Sequence, residues 1–325
     1  MKYDLIYNCD AYTEIGVGHL FRGIDIINYF CNQTDNLHVA IRGKYDKHLI
    51  PIIKRTLNNK VDILLENNAS NSNLSIIDTM FYPGKQNINH NYVKETAALS
   101  EKLIMIWDVE QIILPKEIGI YINHLPFAKV KKSNENQSAF TGLDYLPVPD
   151  RFFNTAKYNL NGNVLFVVGS TPSHNYITEL FELIKKNLKG SIQLILSPSM
   201  QFEFVNELRS KFKEFDILQN VDDLVHYFNT ASTIVTTYGN TSYQALASKR
   251  PVFTLGLIDF QNYYGMKLEE DGYSINLGHI SDLNVDKIKM IQDKSYLKSA
   301  QAKLQEKFNQ PTIGNVLKII IENLN

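Results

Sequence analysis

Of 325 residues only two are cysteine, Cys9 and Cys31, and one is tryptophan. Two cysteines in separate apolar segments exclude a disulfide framework and a Cys-x-x-Cys metal site, and read as small core residues. Charge of one sign is also missing: 33 basic residues stand against 34 acidic ones, a formal net charge of -1. Without a basic surplus, neither a nucleic-acid polymer nor an anionic membrane is indicated as a partner. A local phosphate site remains open, because it needs only a few donors. No apolar run reaches the about 18 residues of a membrane span, and the opening MKYDLIYNCD has no signal-peptide core. The expectation is a cytoplasmic protein with no transmembrane segment. There is no G-x-x-x-x-G-K-[ST], which excludes a P-loop.

What is present is an α/β rhythm. At 44% hydrophobic, the chain can fill one large or two ordinary domains, and two are expected. Short apolar runs alternate with amphipathic segments, the pattern of parallel sheets. YDLIYNC reads as the first strand and GHLFRGIDIINYFC as a helix with apolar residues at Leu20, Ile24, Ile27 and Phe30 or Cys31. LHVAIRG, VDILLE, LSIIDTM, LIMIWDV and IGIYIN are further strands, with KHLIPIIKRTLNN and NYVKETAALSEK helical between them. KVKKSNENQSAF reads as a surface loop, and LPVPDRFFNTAKYNLNGN as the linker. A second series follows, from the strand NVLFVVGS through STIVTTY, PVFTLG and YSINLG, and two more helices close the chain. The expected division is residues 1–152 and 153–325, two Rossmann-like domains facing a cleft, with the last helix packing back on the first domain.

Three strand-to-helix junctions hold the residues able to do chemistry. In CDAYTEIGVGHLFRGIDII (9–27), Gly16 and Gly18 permit a tight loop before a helix, and His19 falls in the helix's first turn. Phe21 stands where a dinucleotide fingerprint needs its third glycine, so that reading fails. A histidine at the carboxyl edge of a parallel sheet is placed to act as a general base. The bland alternative is a helix-start histidine with no role. In STIVTTYGNTSYQALASKRPVFTLG (232–256), Gly239, Asn240, Thr241 and Ser242 supply a turn, hydroxyls and a helix N-terminus, a site suited to a diphosphate. An ordinary N-cap would look the same. Gln244, one turn further, is in reach of a sugar hydroxyl. Gly169, Ser170 and Thr171 form a third, less specific junction.

Taken together, these segments resemble the UDP-sugar hydrolase family of pseudaminic acid biosynthesis. The motif D-A-Y-T-E-I-G-V-G-H-L-F-R (10–22) carries the likeness, and SIIDT, MIWDVE, TGLDYLPVPDRFF, VVGSTPSHN and residues 239–261 occur in the family's order. The resemblance implies the glycosyltransferase-B fold shared with MurG-like transferases. It implies His19 as the base that activates water while UDP departs. Gly16 and Gly18 would then let the backbone approach the ligand, Thr241 and Ser242 would hold the diphosphate, and Gln261 would line the second-domain site. Asp78 would orient the loop, and Arg22 would brace the helix. The chain departs from the family at Gln244, where a ribose-binding Glu is usual, and at Gly169-Ser170-Thr171-Pro172. An amide carbonyl accepts a hydrogen bond less strongly than a carboxylate.

Three functions follow. The first is a hydrolase releasing UDP from a UDP-linked deoxy amino sugar in surface-glycan biosynthesis. The second is a glycosyltransferase on the same scaffold, taking a UDP- or CMP-sugar donor and using His19 to deprotonate a glycan acceptor. The third is a sugar-nucleotide sensor, which would not need a base. No cofactor or metal is expected: Asp108 and Glu110 follow a strand at a metal-like spacing, but two carboxylates are a weak signal. His38, His48, His90, His124, His174, His226 and His279 show no His-x-x-x-His spacing and read as incidental, His174 alone lying near a candidate loop. Tyr238, Tyr243, Tyr263 and Tyr264 bracket the second-domain site, where one is expected either to stack on a base or simply to pack.

Overall fold

A computed structural model describes residues 2–12, 15–79, 87–169, 174–198, 200–221 and 223–324. The chain divides into two compact units, Met1–Pro149 with Thr312–Asn325, and Asp150–Pro311.

The first unit contains β1 (Lys2–Asn8), β2 (Val39–Gly43), β3 (Val61–Leu65), β4 (Asn71–Ile77), β5 (Ser100–Ile106), β6 (Gln111–Ile113), β7 (Ile120–Asn123), β8 (Lys129–Lys131) and β9 (Ser138–Thr141). Seven of these form one sheet in the order β3-β2-β1-β4-β5-β7-β9, and every pairing is parallel. Strands β6 and β8 make a separate two-stranded ribbon. Helices α1 (Gly18–Gln33), α2 (Ile50–Thr56) and α3 (His90–Ala98) connect the strands. Central β1 is buried on both faces over Leu5–Asn8, as a strand covered on both sides must be. Helix α1 lays Leu20, Ile24, Ile27 and Phe30 into the core. Its Gly23 lies so close to β1 that a Cβ there would sit 2.7 Å from Cε1 of Tyr7.

The second unit repeats the plan. It holds β10 (Asn163–Val168), β11 (Ile192–Leu196), β12 (Asp216–Gln219), β13 (Ala231–Thr237), β14 (Val252–Gly256), β15 (Ile275–His279) and β16 (Asp282–Leu283), in the order β12-β11-β10-β13-β14-β15-β16. Only the last pair is antiparallel. Around the sheet lie α4 (Asp150–Phe153), α5 (His174–Asn187), α6 (Phe202–Lys211), α7 (Val225–Thr230), α8 (Asn240–Ala247), α9 (Asp259–Glu270), α10 (Val285–Met290) and α11 (Lys294–Lys307). The final helix, α12 (Ile313–Glu322), belongs to the first unit, where Ile313, Val316, Leu317 and Ile320 join the same apolar cluster as Leu20 and Ile24. In both sheets the chain order reverses beside the first strand, between β1 and β4 and between β10 and β13. Such a switch point opens a crevice at the carboxyl ends of the strands.

Three readings of the sequence are corrected. The segment 129–141 carries β8 and β9 where a loop is expected, because Val130 tucks beside Ile112 while Lys129 and Lys131 stay in water. Helix α9 stands where the sequence reading has no helix, its N-cap being Ile258 rather than Ser, Thr, Asp or Asn. Three helices rather than two close the chain. Among the described residues no helix is long and apolar enough to cross a membrane.

Candidate active site

The first unit gathers a charged cluster at the carboxyl end of its sheet. Tyr12 and Gly16 bridge across the turn after β1, and Gly16 holds φ at +80°, a conformation that favours glycine. Gly18 then begins α1, so His19 occupies its first turn. Asp78 follows β4, the strand adjacent to β1, and is fully buried. His19 Nδ1 lies 2.7 Å from Asp78 Oδ1. Arg22, one turn on along α1, donates from Nε to Asp78 Oδ2 at 2.8 Å and from Nη2 to Asp78 Oδ1. The Tyr7 hydroxyl donates to Asp78 Oδ2 at 2.5 Å. Arg22, expected either to bind substrate or to brace the helix, is a buried cation clamping the carboxylate that faces the histidine.

The electrostatics of Asp78 determine which nitrogen of His19 can react. Burial pushes a carboxyl toward its neutral form, but the Arg22 guanidinium and His19 outweigh it and hold Asp78 below the usual carboxylate range. An ionised carboxylate only accepts hydrogen bonds, so Nδ1 of His19 carries the hydrogen. In the neutral ring, Nε2 then keeps the lone pair. With 15% of its side chain exposed, His19 is the member of the pair open to solvent. Orientation of an imidazole by a buried carboxylate is the arrangement that serves general bases.

The cluster extends further than sequence reasoning reached. Arg22 Nη1 donates to Asp108, which follows β5, and His124, which follows β7, places Nδ1 2.9 Å from Asp108 Oδ1. Asp108 is held well below the usual range, with Arg22 and His124 overcoming the effect of burial. His124, read as incidental, is thus tied into the site. The loop after β5 is fastened to β7 by Tyr121, whose hydroxyl donates to the Trp107 carbonyl at 2.6 Å, and by Asn123, whose amide donates to the Val109 carbonyl at 2.7 Å. Asp10 binds neighbouring loops, accepting from the Lys44 N–H at 2.8 Å and the Thr79 hydroxyl at 2.9 Å. The signal available in the sequence was positional: SIIDT, IWDV and YINH each place a polar residue just past an apolar strand. Among the described residues no three His, Cys, Asp or Glu side chains are grouped to hold a metal ion.

The second unit places its junctions beside its own switch point. Gly169 follows β10, and a Cβ there would come within 3.1 Å of Thr237 Oγ1. Ser170 and Thr171 lie outside the described residues. Gly239 ends the turn after β13 at φ +151°, and Asn240 begins α8. Ser242 is buried, and its hydroxyl donates to the Gly239 carbonyl at 2.6 Å, so this hydroxyl caps the turn and is not available to a phosphate. Thr241 and Gln244 are half-buried. The Gln261 side-chain carbonyl oxygen accepts from the Leu257 N–H at 3.0 Å, which ties this side chain to the turn before α9. Tyr238, Tyr243 and Tyr264 are buried and pack on one another, Tyr238 and Tyr264 stacking at 5.2 Å, so of the four tyrosines only Tyr263 is exposed enough to meet a base. His174 stacks on Phe204 with ring centroids 3.9 Å apart.

Comparison with known proteins bears on the fold. No family of described proteins matches the chain by its sequence profile. The uncharacterized protein MJ1062 of Methanocaldococcus jannaschii is 25% identical over 307 residues, covering 86% of this chain; the chain spans 59% of that relative's length. Among solved structures, MurG of Acinetobacter baumannii superposes with a TM-score of 0.60 at 10% identity, covering 98% of this chain and 99% of that one. UGT89C1 of Arabidopsis thaliana, solved with UDP-L-rhamnose, gives a TM-score of 0.60 at 8% identity, with 98% of each chain covered. A glycosyltransferase from Rickettsia africae gives 0.57 at 12% identity, covering 99% and 98%. The chain therefore has two parallel-sheet α/β domains of the glycosyltransferase-B kind.

Proposed function

We propose that this protein transfers a sugar from a nucleotide-sugar donor to a hydroxyl acceptor, with His19 as general base. The observation that carries the reading is the His19–Asp78 pair, an imidazole oriented by an ionised, buried carboxylate with its second nitrogen left to react. The likeness of fold to glycosyltransferases supports it, one of them solved with a UDP-sugar. In the reaction, His19 Nε2 takes the acceptor hydroxyl's proton as its oxygen bonds to the anomeric carbon. The bond from that carbon to the nucleotide phosphate breaks, and the nucleotide leaves with the electron pair. Asp78 stabilises the imidazolium that forms. On the second unit, Gly169, Gly239, the helix start at Asn240 and Thr241, and Gln244 are assigned to the donor nucleotide. UDP is the first nucleotide to test and CMP the second.

A second reading, hydrolysis, is favoured by the Asp10-to-Arg22 motif, which resembles that of a UDP-sugar hydrolase acting in pseudaminic acid biosynthesis. There water takes the place of the acceptor. Both are tested by incubating the protein with a panel of UDP- and CMP-sugars, with and without glycan acceptors and with and without chelator, and measuring nucleotide release. Release that needs an acceptor supports transfer, and release without one supports hydrolysis. Absence of release in every arm overturns both. His19→Ala is expected to lower turnover by roughly 100- to 10,000-fold while nucleotide still raises the melting temperature.

A further inference from the structure

His124 is buried at 2% exposure, too enclosed to meet a substrate, yet it ends the row of side chains that begins at His19. We infer that His124 and Asp108 are positioning residues: they anchor the far arm of Arg22 and thereby keep the hydrogen of His19 on Nδ1. The inference rests on His19 being the base.

The geometry makes Arg22 a potential competitor as well as a clamp. Its Nη2 lies only 3.2 Å from His19 Nδ1, the same nitrogen that faces Asp78 at 2.7 Å. With Nε and Nη2 on Asp78 and Nη1 on Asp108, the planar guanidinium is held at both ends. Released from Asp108, it can swing about its stem and donate Nη2–H into Nδ1. That contact favours the other tautomer, in which the hydrogen sits on Nε2 and no lone pair faces the acceptor. Asp108 prevents this only while it is itself fixed, and His124 stands against its second oxygen, with Nδ1 2.9 Å away. Nearby, Tyr121 and Asn123 hold the loop that carries Asp108. Three strand ends, after β4, β5 and β7, are thus coupled to one imidazole through a single arginine.

The test is long-range 1H–15N spectroscopy on the full chain with 15N-labelled histidine, the His19 signal being assigned by its loss in His19→Gln. Wild-type protein is expected to show His19 as one tautomer, hydrogen on Nδ1. Asp108→Asn and His124→Leu are expected to give averaged or reversed nitrogen shifts at His19. His124→Gln, whose amide can donate to Asp108 from the same place, is expected to restore the wild-type pattern. The unshifted signals of the remaining histidines report a native fold. If Asp108→Asn does not fold, the Leu and Gln variants at position 124 decide. A single Nδ1–H tautomer persisting in folded His124→Leu overturns the inference. With UDP-sugar as probe, the same variant is expected to lose about 10- to 100-fold in kcat, with KM little changed. Failure of wild-type protein to release nucleotide overturns the proposed function and leaves the spectroscopic result standing.

Discussion

Asp78 is the residue on which the first unit's site turns. It receives donors from His19, Arg22 and Tyr7 with no exposure to water. Its folded pKa lies below the unfolded value, so its contribution to stability is complete above the ordinary carboxylate range near about 4 and is lost as pH falls through the depressed folded value. Asp78→Asn leaves Arg22 buried with one partner fewer and is expected to cost about 3–5 kcal/mol at neutral pH. Urea unfolding at pH 7 and at about pH 3 checks this: the gap between variant and wild type should narrow at the acid end. An equal gap at both would show that the carboxylate's charge contributes nothing.

At the scale of elements, α1 matters because it delivers His19 and Arg22 to the ends of β1 and β4. Its close seat against β1 depends on Gly23, where an added methyl would meet the buried Tyr7 ring at 2.7 Å. Alanine ordinarily stabilises a helix over glycine by up to about 1 kcal/mol. Here the overpacking cost of roughly 1–3 kcal/mol should win. Gly23→Ala is therefore expected to lower the melting temperature and, by lifting the helix, to weaken nucleotide release more than nucleotide binding. A variant as stable as wild type would show that Tyr7 yields without strain, and would separate helix seating from the site.

Across the whole molecule, the first unit is discontinuous, since α12 arrives after the entire second unit has been traversed. Thr312 donates its hydroxyl to the Leu146 carbonyl and Asn315 its amide to the Asp144 carbonyl, both at 2.8 Å. Ile313, Val316, Leu317, Ile319 and Ile320 are buried. At about 1.5–3 kcal/mol for each apolar side chain withdrawn from water, their loss approaches the stability of a typical domain. Deleting residues 312–325 is expected to abolish the first unit's cooperative unfolding while the second unit's transition persists. One unchanged two-unit melt after the deletion would refute that assignment of α12.

The α/β rhythm, the central strands, α1 and the last helix were legible from apolar periodicity, because a buried strand or helix face must be apolar along its own length. His19, Asp78 and the Gly239 turn were legible for a related reason: they stand at strand ends, marked by glycine or by a polar residue after an apolar run. Sequence could not pair those ends with one another. Whether Asp108 meets a metal, solvent or Arg22 depends on strand order, and only the sheet order β1-β4-β5-β7 brings Asp78, Asp108 and His124 into one row. Ser242 was assigned to a ligand by residue type and Gln261 by the family likeness; in the fold the Ser242 hydroxyl and the Gln261 carbonyl oxygen each bond to nearby backbone. Local pattern determines which residues can act; long-range pairing of strands decides which of them meet.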